Sequence, residues 1–412
     1  MGSRKRKKET KRIQVGMGEL SIVEHALCPL DSRASLSDNL VHFGEYFYTD
    51  RNRHQRKAVV RVNAPLGFSA SDEFYLWGLL ALTCCQQQPT AELFATPHYC
   101  LRQLGCIDQH GKRGGRQYQK FAESLERLSL ISYSNDAFYD PIRGEHRKVG
   151  FGFLSYSLPI DKRSSRAWRI AWDPIFYEFC MAGSQQFRFD LDVYRSLDCA
   201  SRRLFLLLQK MFSKRLTEAR FELRYLAVHV LGFNESLPTK TLTQKCKKTL
   251  ARLVESGIIK ASSQFINGKR GGKYSVKVER GPYFATRAEF RLSKDLTASP
   301  LYEPLAAIGL EENAIRRFVR DFDPVLVQEW ADITLAAKER KGKKFFRRNP
   351  QAYFVDNVQQ AAQGKRTPPD WWQELRHSEN REKRQGQTAS PTPVGEIITQ
   401  VLGGISGDDT RK

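Results

Sequence analysis

Apolar and polar positions along this chain follow two rhythms, and the changes between them divide it into elements. Ala58–Val62 has the period of two of a short strand. Ser71 and Asp72 then precede Phe74, Leu76, Trp77, Leu80 and Leu82, which predicts a helix with a side-chain cap. A second helix is predicted from Leu93 to Leu104, with Gly105 as its stop. The loop 111–115 leads to a third helix carrying Phe121, Leu125 and Leu128. Two β stretches follow, Leu130–Ser134 and Val149–Ser157, joined by a basic segment. Ala167–Trp172 reads as a further strand. Asp173 and Pro174 read as a helix start, with the acid as cap and proline in the first turn.

The same order then recurs. Tyr194–Asp198 precedes a helix with Leu204, Leu207, Leu208 and Met211. Phe221 to Leu231, stopped by Gly232, is a second helix. Pro238 and Thr239 open a third, with Leu242, Cys246, Leu250 and Leu253 in one stripe. Ile258–Phe265 and Lys273–Val278 read as two strands around an Asn267-Gly268 turn, a strong hairpin signal. The Leu-Gly pairs at 104–105 and 231–232 lie 232 − 105 = 127 residues apart. Three helices and a hairpin, twice over, is the winged-helix plan, whose third helix enters the major groove.

The expected fold class is therefore α+β. Residues 1–57 are expected to be a basic, largely disordered arm with some late order around Phe43–Tyr48, either a solvated tail or a phosphate-contacting arm. The first winged-helix domain is expected over 58–185 and the second over 186–282. A linker over 283–300 leads to a small, mainly helical module over 301–376. The polar stretch 377–412 is expected to be a disordered tail. In the module, Leu305, Ile308, Leu310, Ile315, Phe318, Val319, Val325, Val327 and Trp330 suggest two short helices, and Asn349-Pro350 a capped helix start. Trp168, Trp172 and Trp330 are expected in cores, and one of the adjacent Trp371 and Trp372 at an exposed interface.

Charge adds a partner to this outline. The chain has 67 Lys and Arg against 45 Asp and Glu, a net +22 over 412 residues. Such an excess suits a polyanion. No apolar run approaches the roughly 18 residues of a membrane span, so no membrane is expected. The basic N-terminus has no apolar stretch behind it, unlike a secretory signal. Arg6 stands where a myristoylation signal needs Ser or Thr. The eight cysteines contain no Cys-x-x-Cys. They read as buried thiols of a reducing cytoplasm, with neither disulfides nor a metal site expected.

Catalytic patterns are missing. Gly111–Gly115 and Gly268–Gly272 both spell Gly-Lys-Arg-Gly-Gly. Neither has the strand, helix and Lys-Ser/Thr of a nucleotide loop. There is no His-x-His to hold a nicking metal and no Gly-x-Ser-x-Gly. The expectation is a protein that is no enzyme and uses no cofactor.

Candidate DNA-binding residues lie where the repeat puts them. On the helix from Thr239, the residues Lys240, Thr241, Gln244, Lys248 and Ala251 point away from the apolar stripe at about 100° per residue. Lys245, Lys247 and Arg252 flank them, and no acid occurs before Glu255. Lysine reaches phosphates and guanine edges, and glutamine pairs an adenine edge. The first-unit helix presents Arg116, Gln119, Lys120, Glu123 and Arg127, where signs mix. That face suits DNA or a protein contact equally. Lys112 and Arg113, beside glycines, suit a backbone clamp. Lys269, Arg270 and Lys273 on the second hairpin suit a phosphate or the minor groove. Arg143, His146, Arg147 and Lys148 are the first-unit counterpart. Lys341, Lys343, Lys344, Arg347 and Arg348 form a third cluster. For each of these charge runs a solvated surface is the plain alternative.

The stretches Leu101-Arg-Gln-Leu-Gly105, Tyr118–Leu128, Tyr194–Phe205, Leu231-Gly232 and Lys248–Ile258 resemble the TrfA-type and "replication initiator protein A" plasmid initiators. The resemblance covers roughly residues 58–282. Asn349–Val355 looks like the C-terminal module that often follows in them. The resemblance implies a bacterial, cytoplasmic, plasmid-associated protein with two winged helices. It implies binding to direct repeats (iterons) in origin double-stranded DNA, opening of an adjacent AT-rich region, and recruitment of host replication proteins such as a helicase or initiator. It further implies copy control through a homodimer on the first unit, with the second unit making the main groove contacts. A winged-helix transcription regulator, acting on its own promoter, is the alternative.

Overall fold

The structure, a computed structural model, describes residues 12–19, 21–50, 52–86, 88–107, 115–159, 166–182, 186–213, 216–267, 274–284 and 299–375. In chain order it begins with β1 (Val15–Glu19), a single helical turn α1 (Ser32–Ser35), and the long strands β2 (Leu40–Thr49) and β3 (Gln55–Ala64). The first repeat follows as α2 (Asp72–Cys84), β4 (Glu92–Ala95), α3 (Pro97–Gln103) and α4 (Gly115–Ser129). Then come β5 (Ser132–Asp140), β6 (Glu145–Phe151), β7 (Leu154–Ser157), β8 (Trp168–Trp172) and α5 (Pro174–Met181). Next are β9 (Gln186–Asp190) and α6 (Leu191–Ser196). The second repeat runs α7 (Cys199–Ser213), β10 (Glu218–Glu222), α8 (Leu223–Tyr225), α9 (Thr239–Glu255), β11 (Gln264–Asn267) and β12 (Tyr274–Glu279). A π-helical turn, Leu226–Val230, extends α8. The C-terminal helices are α10 (Tyr302–Ile308), α11 (Glu312–Asp321), α12 (Pro324–Arg340) and α13 (Pro350–Ala362).

The class is α+β, and among the described residues every strand pair is antiparallel. The two repeats share one strand order. In the first it is β4-β8-β7 and in the second β10-β12-β11. In both, the strand before the second helix pairs with the last strand, which pairs with its hairpin partner. The order of elements is thus helix, strand, helix, helix, hairpin.

The expected boundaries change in four places. Leu93–Leu104 divides into the strand β4 and the shorter helix α3, and Phe221–Leu231 begins as β10 rather than as helix. Phe94 and Phe221 lie in strands too short for a period of two to stand out from a helical one. Leu130–Ser134 does not form the first repeat's hairpin with Val149–Ser157. Instead β5 and β6 are an inserted hairpin that continues β2 and β3 into a four-stranded sheet, β2-β3-β5-β6. That leaves β7 and β8 as the hairpin of the repeat.

The arm is the fourth change. Its described residues, 12–19, 21–50 and 52–57, are folded rather than disordered. Its strand β1 pairs with β9, Val15 opposite Asp190 and Glu19 opposite Gln186. Ala26 and Leu30 donate their amides to the carbonyls of His229 (2.7 Å) and Gly232 (2.8 Å). One hydrophobic core accordingly runs from Ile13 to Phe284, across the boundary expected at 185/186. A second core, from Leu301 to Trp372, belongs to the C-terminal helices. Residues 1–11, most of the expected linker and the tail from 376 lie outside the described residues.

Local capping explains several helix starts. Asp173 accepts the Ile175 and Phe176 amides, and Asn349 accepts that of Ala352 at 2.7 Å. Ser71 makes no side-chain cap, contrary to the sequence expectation. The next residue, Asp72, instead accepts the amide and hydroxyl of Ser69. Leu104 and Leu231 are buried, and the glycines after them take φ of +67° and +81°. A side chain is strained there. None of the eight cysteines is in a disulfide, and five of them are buried. Trp330 and Trp172 are core residues, and Trp168 stacks half-buried on Phe121.

The arm brings an acid into the core. Glu19 is fully buried, and its Oε2 accepts the amides of Ser21 (2.7 Å) and Ile22 (2.9 Å). Burial pushes its carboxyl up to about 7 from an ordinary 4.5, against the pull of Lys210 and the two amides. An acid held this way contributes stability that is complete below its unfolded value and lost as pH rises through about 7. Burial lowers His25 to about 3 and His42 to about 4, so their share is lost toward acid instead. Comparing Glu19→Gln with wild type cancels the histidines. The variant should gain roughly 2–3 kcal/mol on wild type between pH 5 and 8 in urea unfolding. A pH-independent difference would contradict this.

Candidate nucleic-acid interface

α9 is the longest helix of the second repeat. Leu242, Cys246, Thr249, Leu250 and Leu253 are buried along one side. Gly257, at φ +69°, ends it, and the Ile258 amide returns to the Leu253 carbonyl at 2.9 Å. The opposite side exposes Lys240, Gln244, Lys245, Lys247, Lys248 and Ala251, with Thr241 half-exposed beside them.

The structure separates these residues by what they touch. Lys245 lies 5.2 Å from the Phe233 ring and Lys247 5.6 Å from that of Phe265. Those two pack along the edges of the helix, their charge held over aromatic faces. Arg252 is paired with Asp198 at 3.0 Å. Lys240, Gln244 and Lys248 form a row at i, i+4 and i+8, with no side-chain partner among the described residues. Lys240 stands in the first turn, where the helix dipole disfavours a cation. No acid shares that turn, and no side chain caps the helix. An anion at this end would satisfy both the amides and the lysine.

The neighbouring surface carries less free charge. On the outer face of β10 and β12, Lys277 is held by Glu218 at 3.1 Å and Glu279 at 2.8 Å. The β11–β12 hairpin belongs to the same sheet as β10. Its tip residues Lys269, Arg270 and Lys273 lie outside the described residues, as do Lys112 and Arg113 before α4.

α4 is a weaker candidate. Arg116, Gln119 and Lys120 are exposed on it as expected. Gln119 is tied to Glu123 at 2.9 Å. Arg127 does not face outward: it makes two bonds to the buried carboxylate of Asp72, at 2.8 and 2.9 Å. With Glu123 and Glu126 exposed, this face carries both signs.

Two further clusters are redistributed. Arg143, His146, Arg147 and Lys148 belong to the β5–β6 insertion rather than to the hairpin of the repeat. In the C-terminal unit, Lys341 lies 4.2 Å from the Trp371 ring and 5.1 Å from that of Phe345. Lys344, Arg347 and Arg348 are exposed beside it. Trp372 is buried and Trp371 half-buried. The unit reaches α3 of the first repeat through Glu303, which accepts from Thr96 (2.7 Å) and pairs with Arg102 (2.9 Å).

Sequence reasoning placed order around Phe43–Tyr48 but missed the outer face of β2 and β3, where Phe43, Phe47 and Arg61 are exposed. The signal was present: Val41, Phe43, Glu45 and Phe47 alternate with Tyr46 and Tyr48 at a period of two. Among the described residues no three His, Cys, Asp or Glu side chains gather as a metal site would need. Among them, too, no helix is long and apolar enough to cross a membrane.

No family model matches the chain, and no curated protein matches it. Among solved structures it is similar to the crystal structure of domains 2 and 3 of RctB, at 15% sequence identity and a TM-score of 0.40. The match covers 63% of this chain and 96% of that one.

Proposed function

We propose that the chain is a DNA-binding replication initiator built on two winged helices. The second repeat reads duplex DNA through α9, and the first supports it or pairs with a second copy. The observation that carries this reading is the row Lys240, Gln244 and Lys248, exposed and unpartnered among the described residues opposite a buried apolar stripe. The shared strand order of the two repeats supports it as well. A winged helix places its third helix in the major groove and its hairpin on the backbone beside it. Lysines would then hold phosphates or guanine edges, and Gln244 an adenine edge.

On this reading the protein acts by binding, without cofactor or catalytic step, in the bacterial cytoplasm on plasmid DNA. It grips repeated sites (iterons) in the origin, and the deformation of DNA between its two units helps open the neighbouring AT-rich duplex. Host replication proteins such as a helicase would join there, and pairing of copies would limit plasmid copy number. The residue types resembling plasmid initiators favour this over a transcription regulator built on the same modules. A test plasmid carrying only the gene and its flanking repeats should replicate in a host that cannot maintain the vector alone. Repression of a reporter without replication would favour the regulator.

A further inference from the structure

The inserted sheet β2-β3-β5-β6 buries one face and leaves the other open. Tyr46, Ala58, Val60, Val62 and Ala64 point into the core. On the outer face Phe43 is 59% and Phe47 52% exposed, with Val41 and Val59 beside them. Isolated exposed apolar residues need no explanation, but two exposed phenylalanines on one strand face do.

Their neighbours are cations. The register sets Phe43 opposite Arg61 and Phe47 opposite Lys57. The Arg61 guanidinium lies 6.0 Å from the Phe43 ring centre, and it has no acidic partner among the described residues. Lys57 is joined to Glu45 at 2.6 Å. Lys148, on β6, is exposed and likewise lacks an acidic partner among the described residues. Val41 faces Asn63, and Val59 faces Glu45. Rings and cations therefore share the face with two acids, Glu45, which Lys57 holds, and Asp136, which accepts the Val59 amide at 2.8 Å, and no continuous apolar patch forms.

Such a pattern suits one kind of occupant. A protein interface concentrates apolar residues at its centre and excludes charge from it. A second copy packed on this face by a twofold axis would set Arg61 and Lys148 against the same positive surface. Single-stranded nucleic acid offers what the face lacks: flat rings to stack on phenylalanine and phosphates to sit beside cations. Phe43 and Phe47 are four residues apart, about 13 Å along a strand. That distance holds about four bases at the 3.4 Å rise of a stacked strand. Phe47 also approaches Tyr225 of the second repeat, with ring centres 5.8 Å apart.

We propose that the outer face of β2 and β3 binds single-stranded DNA, with Phe43 and Phe47 as stacking platforms and Arg61 and Lys148 as phosphate contacts. The choice of DNA rests on the proposed initiator function, in which opening the origin releases a single strand. The surface and α9 share no residue, so variants of each can be measured apart.

The test is fluorescence anisotropy of the full chain with a labelled twenty-nucleotide oligo-dT, the matching oligo-U, and a duplex from the gene's flank. Phe43→Ala with Phe47→Ala should weaken oligo-dT binding by about 5- to 150-fold per ring. The thermal midpoint and duplex affinity should not move, because both rings are exposed. Lys248→Ala should do the reverse, weakening duplex binding and sparing oligo-dT. Wild-type protein that ignores oligo-dT, or a double variant that binds it unchanged, would overturn the proposal. So would tighter binding of oligo-U than oligo-dT, which makes the surface an RNA site. A sedimentation shift of wild type that the double variant loses, with oligo-dT binding intact, would assign the face to a second copy. Loss of the duplex result alone would sink the reading of α9 and leave this face standing.

Discussion

Arg203→Met is expected to destabilise the protein by about 3–5 kcal/mol, because it strands a buried carboxylate. Arg203 and Glu73 have side chains only 6% and 7% exposed. The guanidinium Nε lies 3.1 Å from each Glu73 oxygen. Its Nη1 donates to the Leu231 carbonyl at 2.7 Å and its Nη2 to the Cys28 thiol at 3.1 Å. Burial opposes the charge on Arg203, but Glu73 and Cys28 outweigh it and hold its pKa up, while burial pushes the Cys28 thiol up as well. The cluster joins three stretches that no local pattern connects: the arm, α2 of the first repeat and α7 of the second. Removing one partner leaves the other charge unpaired. Replacing both, as Glu73→Leu with Arg203→Met, removes the desolvation penalty along with the attraction and should recover most of the loss. Urea unfolding of the two single variants and the double variant measures this. A single variant that loses less than about 1 kcal/mol would mean that solvent reaches the pair.

The second large effect is on DNA. Lys240→Ala and Lys248→Ala should each weaken duplex binding by about 1–3 kcal/mol if they contact bases, and less if they contact only phosphate. The structure makes a contrast that charge counting does not. Arg252, held by Asp198, and Lys245, lying over Phe233, are equally basic in the sequence but already engaged. Arg252→Ala should therefore move affinity little, and any change should track the loss of its ion pair. Titrating one duplex with these variants separates the row from its flanks. Equal losses for Lys248→Ala and Arg252→Ala would mean that only overall charge matters.

Much of α9 was legible because its information is local. Leu242, Cys246, Leu250 and Leu253 repeat at helical spacing, and Gly257 ends the run. Asp173-Pro174 and Asn349-Pro350 are equally local, and both became caps. What could not be read depends on distant partners. β1 looked like part of a polar arm because its partner β9 begins 186 − 19 = 167 residues after it ends. Arg127 looked exposed because Asp72, which holds it, lies 55 positions earlier. The β5–β6 insertion falls where the repeat predicted its own hairpin, so Leu130–Ser134 was assigned to the wrong sheet and Val149–Ser157 divides between β6 and β7. The charge of α9 was visible in the sequence, but the division of its lysines into engaged and free needed Phe233, Phe265 and Asp198 in place.

The salt dependence of duplex binding tests the role of α9 most directly. Fluorescence anisotropy would follow a duplex from the gene's flanking repeats over a series of salt concentrations, for wild type and for the Lys240→Ala, Lys248→Ala double variant. Wild type should show a log–log slope near −7 if about eight phosphates are neutralised. The double variant should bind at least tenfold more weakly, with a slope shallower by about 2, roughly one unit for each lysine lost from a phosphate. The same affinity and the same slope in both proteins would contradict a DNA-reading role for α9.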